Sequence, residues 1–396
     1  MKKLASLILV LAIAAGSTAC SRASDPDSDA SYNSTSDNSA SDSGVTIPEG
    51  QESIDAAVKT AREKYNITLP IVSADEALEL IRLDLPEQID GHSYVIQQLI
   101  DSETFIVSLF DSEGAGGIDR GSGLYSIKNN EYRALKDLPP GEACAWNSNY
   151  IIYKQYNGDF TMPADDESVK LYLYDIKTQT SRLIYTYSFD RKTEVYGNHW
   201  KNNIVLTDGK VYFDDIIGED EDQRVFLFSY DISSEKLDKL KDDAQNPIVY
   251  KDTLLHIKTK DGNFELEALD GTYAPKMSGH IQEIVSLKDG SLFSLDVISS
   301  DDEKRETVWG IKNMLTDEYI LKTARTISYL DGNDRLMAFR DFGANCPPVV
   351  YNAEDNDFIV FDDLIEPEVY WFFGGDAGVV RTTGKDPVTY LFKLKH

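Results

Sequence analysis

A β-hairpin that recurs along most of the chain, a spacing near 40–50 residues between copies, and a second pair of apolar runs before each copy together predict an all-β fold. The arrangement that suits them is a β-propeller, most simply of seven four-stranded blades, with six or eight as the alternatives. The clearest copy runs from Leu171 through the segment LYLYDI and a polar turn to Thr186. Related strands begin at Leu124, Phe226, Phe264, Val308, Val349 and Thr389, in steps of 38 to 55 residues. The longer steps coincide with acidic insertions at Ala164–Ser168 and Gly218–Gln223. Loop insertions add little closure entropy, so they do not disturb the repeat.

Taken in order, the chain opens on Met1-Lys2-Lys3, an apolar run from Leu4 to Ala15, and then Ser17-Thr18-Ala19-Cys20. A basic start, a short apolar core and small residues are the layout of a secretory signal. The cysteine directly after the small residues resembles the lipobox of bacterial lipoproteins, although Ser17 stands where that family usually has Leu. The resemblance implies cleavage after residue 19, lipidation of Cys20 with palmitate-type chains, and anchoring to the extracytoplasmic face of the cell membrane. Residues 20–46 are mostly Ser, Asp, Asn, Ala and Thr. Such a segment buries too little apolar surface to offset its ordering entropy and is expected to act as a disordered tether. Asp25, Asp27 and Asp29 alternate like the start of a calcium loop, but its glycine and closing glutamate are missing, so no calcium is expected.

Residues 47–88 read as a short helical lead-in. Ile54, Val58, Ala61 and Tyr65 fall at helical spacing. A second helix is expected from Ser73, with Glu76 completing a capping box, Ala77, Leu78, Ile81 and Leu85 as its stripe, and Pro86 as its stop. Ile67–Val72 between them is extended in character.

Residues 89–396 form the propeller. Tyr94–Leu99 and Thr104–Leu109 precede the first hairpin, and Tyr150–Tyr153 the second. Asn203–Leu206 and Val211–Phe213, joined by Asp208-Gly209, precede the third. Asp-Gly between β-rich runs is a strong hairpin signal, and Asp289-Gly290 repeats it. The last strand, Val388–Leu394, falls where the third strand of a final blade belongs. Its fourth strand must come from elsewhere: an N-terminal segment within Ile67–Leu109 is expected to close the ring, with Ile67–Val72 or the strand at Tyr94 as the candidates. The aromatic strand ending in Asp and an apolar residue, best seen at 171–185 and 225–240, resembles the blades of TolB-type bacterial propellers. That resemblance implies the fold and a tendency to bind partners or sugars at the channel mouth, without a particular activity.

The formal net charge is −29 over 396 residues. An acidic surface repels phosphate backbones, so nucleic acid is not an expected partner. The expected partners are the membrane, through the lipid, and a protein or carbohydrate at the channel mouth. Besides Cys20 there are two cysteines, Cys144 and Cys346. They read as inert thiols rather than a disulfide. The five histidines lack metal-ligand spacing, and there is no Cys-x-x-Cys, so neither a metal nor a cofactor is expected. The glycine-rich run Glu113–Gly123 lacks the following helix that a phosphate loop needs. No residue set reads as catalytic. Asn198, His199 and Trp200 are the candidate ligand-binding residues, because a Trp beside a His can stack on a sugar and hydrogen-bond its hydroxyls. The expected function is a membrane-anchored, extracytoplasmic binding or scaffold lipoprotein. The alternative is a carbohydrate-active lyase or hydrolase that uses acidic residues at the channel.

Overall fold

The computed structural model describes residues 49–111, 118–138, 141–155, 169–187, 204–218, 224–260, 263–272, 274, 280–301, 306–341, 346–364, 369–383 and 387–395. It is a seven-bladed β-propeller. The chain enters through α1 (Glu49–Tyr65), β1 (Ile71–Ser73), α2 (Ala74–Ala77) and β2 (Leu78–Arg82). Blade one is β3 (Ser93–Asp101), β4 (Thr104–Asp111), β5 (Ile118–Ser126) and β6 (Glu131–Ala134). Blade two is β7 (Gly141–Trp146), β8 (Tyr150–Gln155), β9 (Lys170–Asp175) and β10 (Thr180–Thr186). Blade three is β11 (Val205–Leu206), β12 (Lys210–Ile217), β13 (Arg224–Asp231) and β14 (Lys236–Asp242). Blade four is β15 (Gln245–Tyr250), β16 (Thr253–Lys260) and β17 (Asn263–Ala268). Blade five is β18 (His280–Ser286), β19 (Leu292–Asp301), β20 (Glu306–Asn313) and β21 (Glu318–Thr323). Blade six is β22 (Ile327–Gly332), β23 (Leu336–Asp341), β24 (Val349–Asn352) and β25 (Asp357–Val360). Blade seven holds β26 (Val369–Gly374), β27 (Ala377–Thr382) and β28 (Thr389–Leu394). Within every blade the consecutive strands pair antiparallel.

The hairpin repeat has a local cause. In the turn after a third strand, Asp175 Oδ1 accepts from the N–H groups of Lys177 (2.9 Å) and Thr178 (2.8 Å), and Gln179 takes φ +57°. Asp231 and Glu235, Asn313 and Asp317, and Asn352 and Asn356 repeat the same acceptor and left-handed position. A short acidic or amide side chain that satisfies turn N–H groups is what the aspartate of LYLYDI supplies.

Closure differs in detail from the sequence expectation. The second helix is a single turn. Ser73 does cap it, accepting from Asp75 N at 3.2 Å, but the backbone is extended from Leu78 onward. Leu78–Arg82 pairs antiparallel with β28, from Leu78 against Leu394 to Arg82 against Tyr390. This N-terminal strand is the outer strand of blade seven. Ile71–Ser73, within reach of the segment proposed as the closer, instead adds parallel to β25 as a fifth strand of blade six. Pairing removes two open edges at once, and that gain overrides the local helical pattern. Blade seven then presses on blade one. A Cβ at Gly374 would stand 2.1 Å from Leu99 O, so only glycine permits this approach.

Apolar clusters fill the junctions between neighbouring blades. Ile106, Ile151 and Tyr174 join blades one and two, and Phe213, Phe228 and Leu171 join two and three. Leu255, Leu266 and Leu292 join four and five, Phe361, Trp371 and Phe392 join six and seven, and Phe105, Val379 and Leu99 join seven and one. The junction of blades five and six is the largest, because α1 lies over it with Ala57, Ala61 and Tyr65 buried. No apolar cluster joins blades three and four among the described residues. Cys144 and Cys346 are free thiols, and burial raises the Cys144 thiol to about 12.

Candidate functional site

The inner strands of blades one, two, four, five and six are each interrupted by a bulge. The breaks fall between Ile96 and Gln98, Ala143 and Ala145, Gln245 and Ile248, Ile281 and Glu283, and Ser328 and Leu330. A bulge leaves a ladder N–H unpaired and turns a side chain away from its regular direction. Three of those N–H groups are capped from the preceding blade. Gln97 Oε1 accepts from Ala143 N at 3.0 Å, Glu283 Oε2 from Leu330 N at 2.8 Å, and Asp214 Oδ2 from Asn246 N. The caps hold the inner strands in register where the ladder cannot.

The bulge in blade six sets Tyr329 at φ +56°. That conformation is strained for a bulky aromatic residue and persists only where the surroundings enforce it. Half of the Tyr329 surface is open, yet protein surrounds the residue, as expected for a ring projecting into a channel. Gln98 of blade one lies close enough to its hydroxyl to favour the charged form. Asp331, Glu283 of blade five and Glu142 of blade two stand near enough for their charges to act on it. Blade six does not adjoin blades one or two, so these interactions reach across the central opening. The charge of Asp331 first, then burial, then Glu283 and Glu142, hold the phenol well above its ordinary range.

Burial pushes the Asp331 carboxyl up to about 7, against a hydrogen bond from Gly332 N (2.8 Å) that favours the charged form, and Glu283 adds repulsion. Its Oδ2 is shut off from solvent and has no hydrogen-bond partner. The assembled group is a tyrosine, an amide and three carboxylates contributed by four blades. Such a lining attracts positive charge and hydrogen-bond donors. No group of three or more His, Cys, Asp and Glu positioned for a metal occurs among the described residues.

Several other buried ionisable groups take part in packing. Asp215 accepts from Tyr185 Oη at 2.8 Å, and Tyr319 Oη donates to Asp296 at 3.0 Å. Tyr65 Oη and Arg325 Nε both donate to Asp341 Oδ2, at 2.7 and 2.5 Å, locking α1 to blade six.

Of the residues the sequence singles out, Cys20, Asn198, His199 and Trp200 lie outside the described residues. Trp146 and Trp371 are packing residues: Trp146 Nε1 donates to Leu99 O at 2.8 Å, and Trp371 is buried between blades six and seven. Sequence reasoning missed Gln98, Glu142, Glu283, Tyr329 and Asp331. Their shared signal is a polar residue interrupting the first apolar run of a blade.

No family model matches the chain, and no curated protein matches it. Solved structures do. The β-propeller domain of the Trilobed protease from Pyrococcus furiosus, described as having an open velcro topology, aligns over 78% of this chain and 96% of its own, with TM-score 0.51 and 9% identity. An oligogalacturonate lyase in complex with manganese aligns over 81% of this chain and 97% of its own, with TM-score 0.46 and 13% identity. TolB from Acinetobacter baumannii aligns over 76% and 80%, with TM-score 0.35 and 13% identity. At 9% identity the likeness to the archaeal propeller domain is one of fold.

Proposed function

We propose that the chain is an extracytoplasmic binding lipoprotein, anchored through Cys20, whose propeller presents its channel to a ligand or partner. The observation that carries this reading is the convergence of Gln98, Glu142, Glu283 and Asp331 on Tyr329. The signal-like start and the Ser/Asp-rich tether support the location. An acidic channel favours a ligand that brings amines or guanidinium groups over one that brings anions, and Tyr329 adds a ring face for them.

Calorimetric titration with a lysine-rich peptide and with a neutral oligosaccharide separates partners that bring charge from those that bring hydroxyls. Tyr329→Ala and Glu142→Gln should weaken binding about tenfold while the melting temperature is kept. Glu283 is unsuitable for this test because it also caps Leu330 N. Binding of neither probe, or binding that survives both substitutions at full strength, overturns the channel reading. Fatty-acid labelling that is lost in Cys20→Ala tests the anchor separately.

A further inference from the structure

The junction of blades three and four is built unlike its neighbours. Strand alternation turns Val211, Phe213, Phe228 and Tyr230 of blade three toward blade two. It turns Leu255, Ile257, Leu266 and Ala268 of blade four toward blade five. What remains to face the shared junction is polar apart from Leu227, which is fully buried in register between Asp214 and Lys241. Asp214, Ser229 and Lys241 come from blade three, and His256, Lys258 and Glu267 from blade four.

His256 is fully buried. Neither ring nitrogen has a hydrogen bond of good geometry: the Glu267 backbone is poorly placed, and the Glu267 carboxylate stands 3.6 Å from Nε2. The same carboxylate holds Lys241 at 2.9 Å and Lys258 at 3.3 Å. The charged groups around His256 are therefore Lys241 of blade three and Lys258 and Glu267 of blade four. Lys258 also feels Asp243, which pairs with Arg224 at 2.8 Å. Asp214, buried at the same junction, is flanked by Asp215 of its own blade and by Lys154 and Tyr187 of blade two, and it caps Asn246 N of blade four.

We propose that this junction is the seam at which the ring opens first, and that charging His256 in acid or Asp214 in base loosens it. Polar contacts that must exclude water contribute little net stability beside an apolar cluster of similar area. A charge that appears there without a new partner destabilises the closed form. Burial first, then Lys241, hold His256 down to about 4. Burial holds Asp214 up to about 7. Relative to an opened seam, where both groups titrate ordinarily, His256 weakens the closed form as pH falls from 6.5 towards about 4, and Asp214 weakens it as pH rises from 3.8 towards about 7. Opening would separate the ring into two arcs still joined by the chain and by the closure in blade seven.

Hydrogen exchange of the whole protein, corrected for intrinsic rates, tests this directly. At pH 6 the amides of β14, β16 and β17 should exchange about tenfold faster than those of β19, β20, β23 and β24. Between pH 4 and pH 6.5 His256 and Asp214 oppose each other, so the acid response is read in Asp214→Asn, whose amide oxygen can still accept from Asn246 N; there the difference should widen from pH 6.5 to pH 4. His256→Leu, which places an apolar side chain in the seam, should slow exchange there and, combined with Asp214→Asn, abolish that widening. His256→Gln in the same background, which keeps polarity but cannot titrate, should abolish the acid response alone. Equal protection of the two sets of strands at pH 6 overturns the seam. An acid response unchanged in both variants overturns the assignment to His256.

Discussion

The junctions of blades five and six and of blades three and four join the same kind of sheets in the same ring by opposite means. The first buries Phe293, Trp309, Met337, Phe339, Tyr351 and Phe358, and α1 lies across it. Tyr65 anchors that helix, its ring edge-on to Phe339 at 5.2 Å and its hydroxyl on Asp341. The second junction holds a buried histidine, two lysines and two carboxylates. Apolar burial is non-directional and contributes about 25 cal/mol per Å², whereas each buried polar contact must first offset its desolvation. A propeller can therefore close as one body while its stability varies around the ring. The N-terminal segment reinforces blades five, six and seven, at the far side of the ring from the polar junction.

The largest effect expected is on closure itself. β28 pairs with β27 on one side and with the N-terminal β2 on the other. Deleting residues 387–396 unpairs both and exposes Leu391 and Phe392, which are buried. Burial of large apolar side chains contributes about 1.5–3 kcal/mol each. The truncated protein should lose cooperative melting or melt far below the full chain. Melting at the full-chain temperature would show that β2 and β28 do not hold the ring.

Substitutions at the two contrasting junctions should differ in the same sense but by less. Tyr65→Ala removes a buried aromatic from the junction of blades five and six, and should cost about 3–5 kcal/mol in denaturant titration. Lys258→Ala shortens a partly exposed member of the polar junction and should cost less than about 1 kcal/mol. Equal costs would mean that the two junctions are equivalent despite their chemistry.

The channel gives a smaller effect of a different kind. The folded protein holds Asp331 at about 7, above its ordinary 3.8. Between those values the folded form binds the proton more tightly than the unfolded chain, so this contribution is full in acid and is lost as pH rises through about 7. His256 has the opposite sign, since its contribution is present above 6.5 and is lost as pH falls through about 4. Asp331→Asn should flatten the decline in stability between pH 5 and pH 8 by up to about 3 kcal/mol. An unchanged slope would place Asp331 in ordinary contact with solvent. Asp214, also near 7, remains in that variant and keeps part of the slope.

The body of the fold was legible because its information is local. Aspartate at the end of an aromatic strand caps the turn that follows, and that chemistry repeats with each blade. The closing strand was not, because Ser73 does start a helical turn, and Ala77, Leu78 and Ile81 continue the helical spacing on paper. Only the open edge of β28, 300 residues away in sequence by rough count, makes Leu78–Arg82 a strand. The channel group was hidden for a related reason. Gln98, Glu142 and Glu283 sit singly on three blades and Tyr329 and Asp331 together on a fourth, so no local motif contains the group. The hint was positional: Gln97-Gln98 inside YVIQQLI, Gln282-Glu283 inside HIQEIVS and Tyr329 inside ISYLDG each disturb an inner strand at its bulge.

The smallest expected effect tests the repeat at its most local level. Glu235 holds φ +58° in the turn between β13 and β14, on blade three. A side chain in the left-handed region is disfavoured, and glycine is free of that penalty. Asp231 keeps the turn in place from the other end, accepting from Ser234 N at 2.9 Å and from the hydroxyls of Ser233 and Ser234, each at 2.8 Å. Glu235→Gly should therefore relieve strain without loosening the turn, although it removes the ion pair with Arg182, whose Nη2 also donates to Ile232 O at 2.7 Å. Glu235 is exposed, so that pair contributes little. The balance should be a gain of about 0.5 kcal/mol, read as a slightly higher melting temperature. A loss of more than that would mean that Arg182, which also lies over the Tyr230 ring at 5.6 Å, depends on Glu235 to bind blade two to blade three.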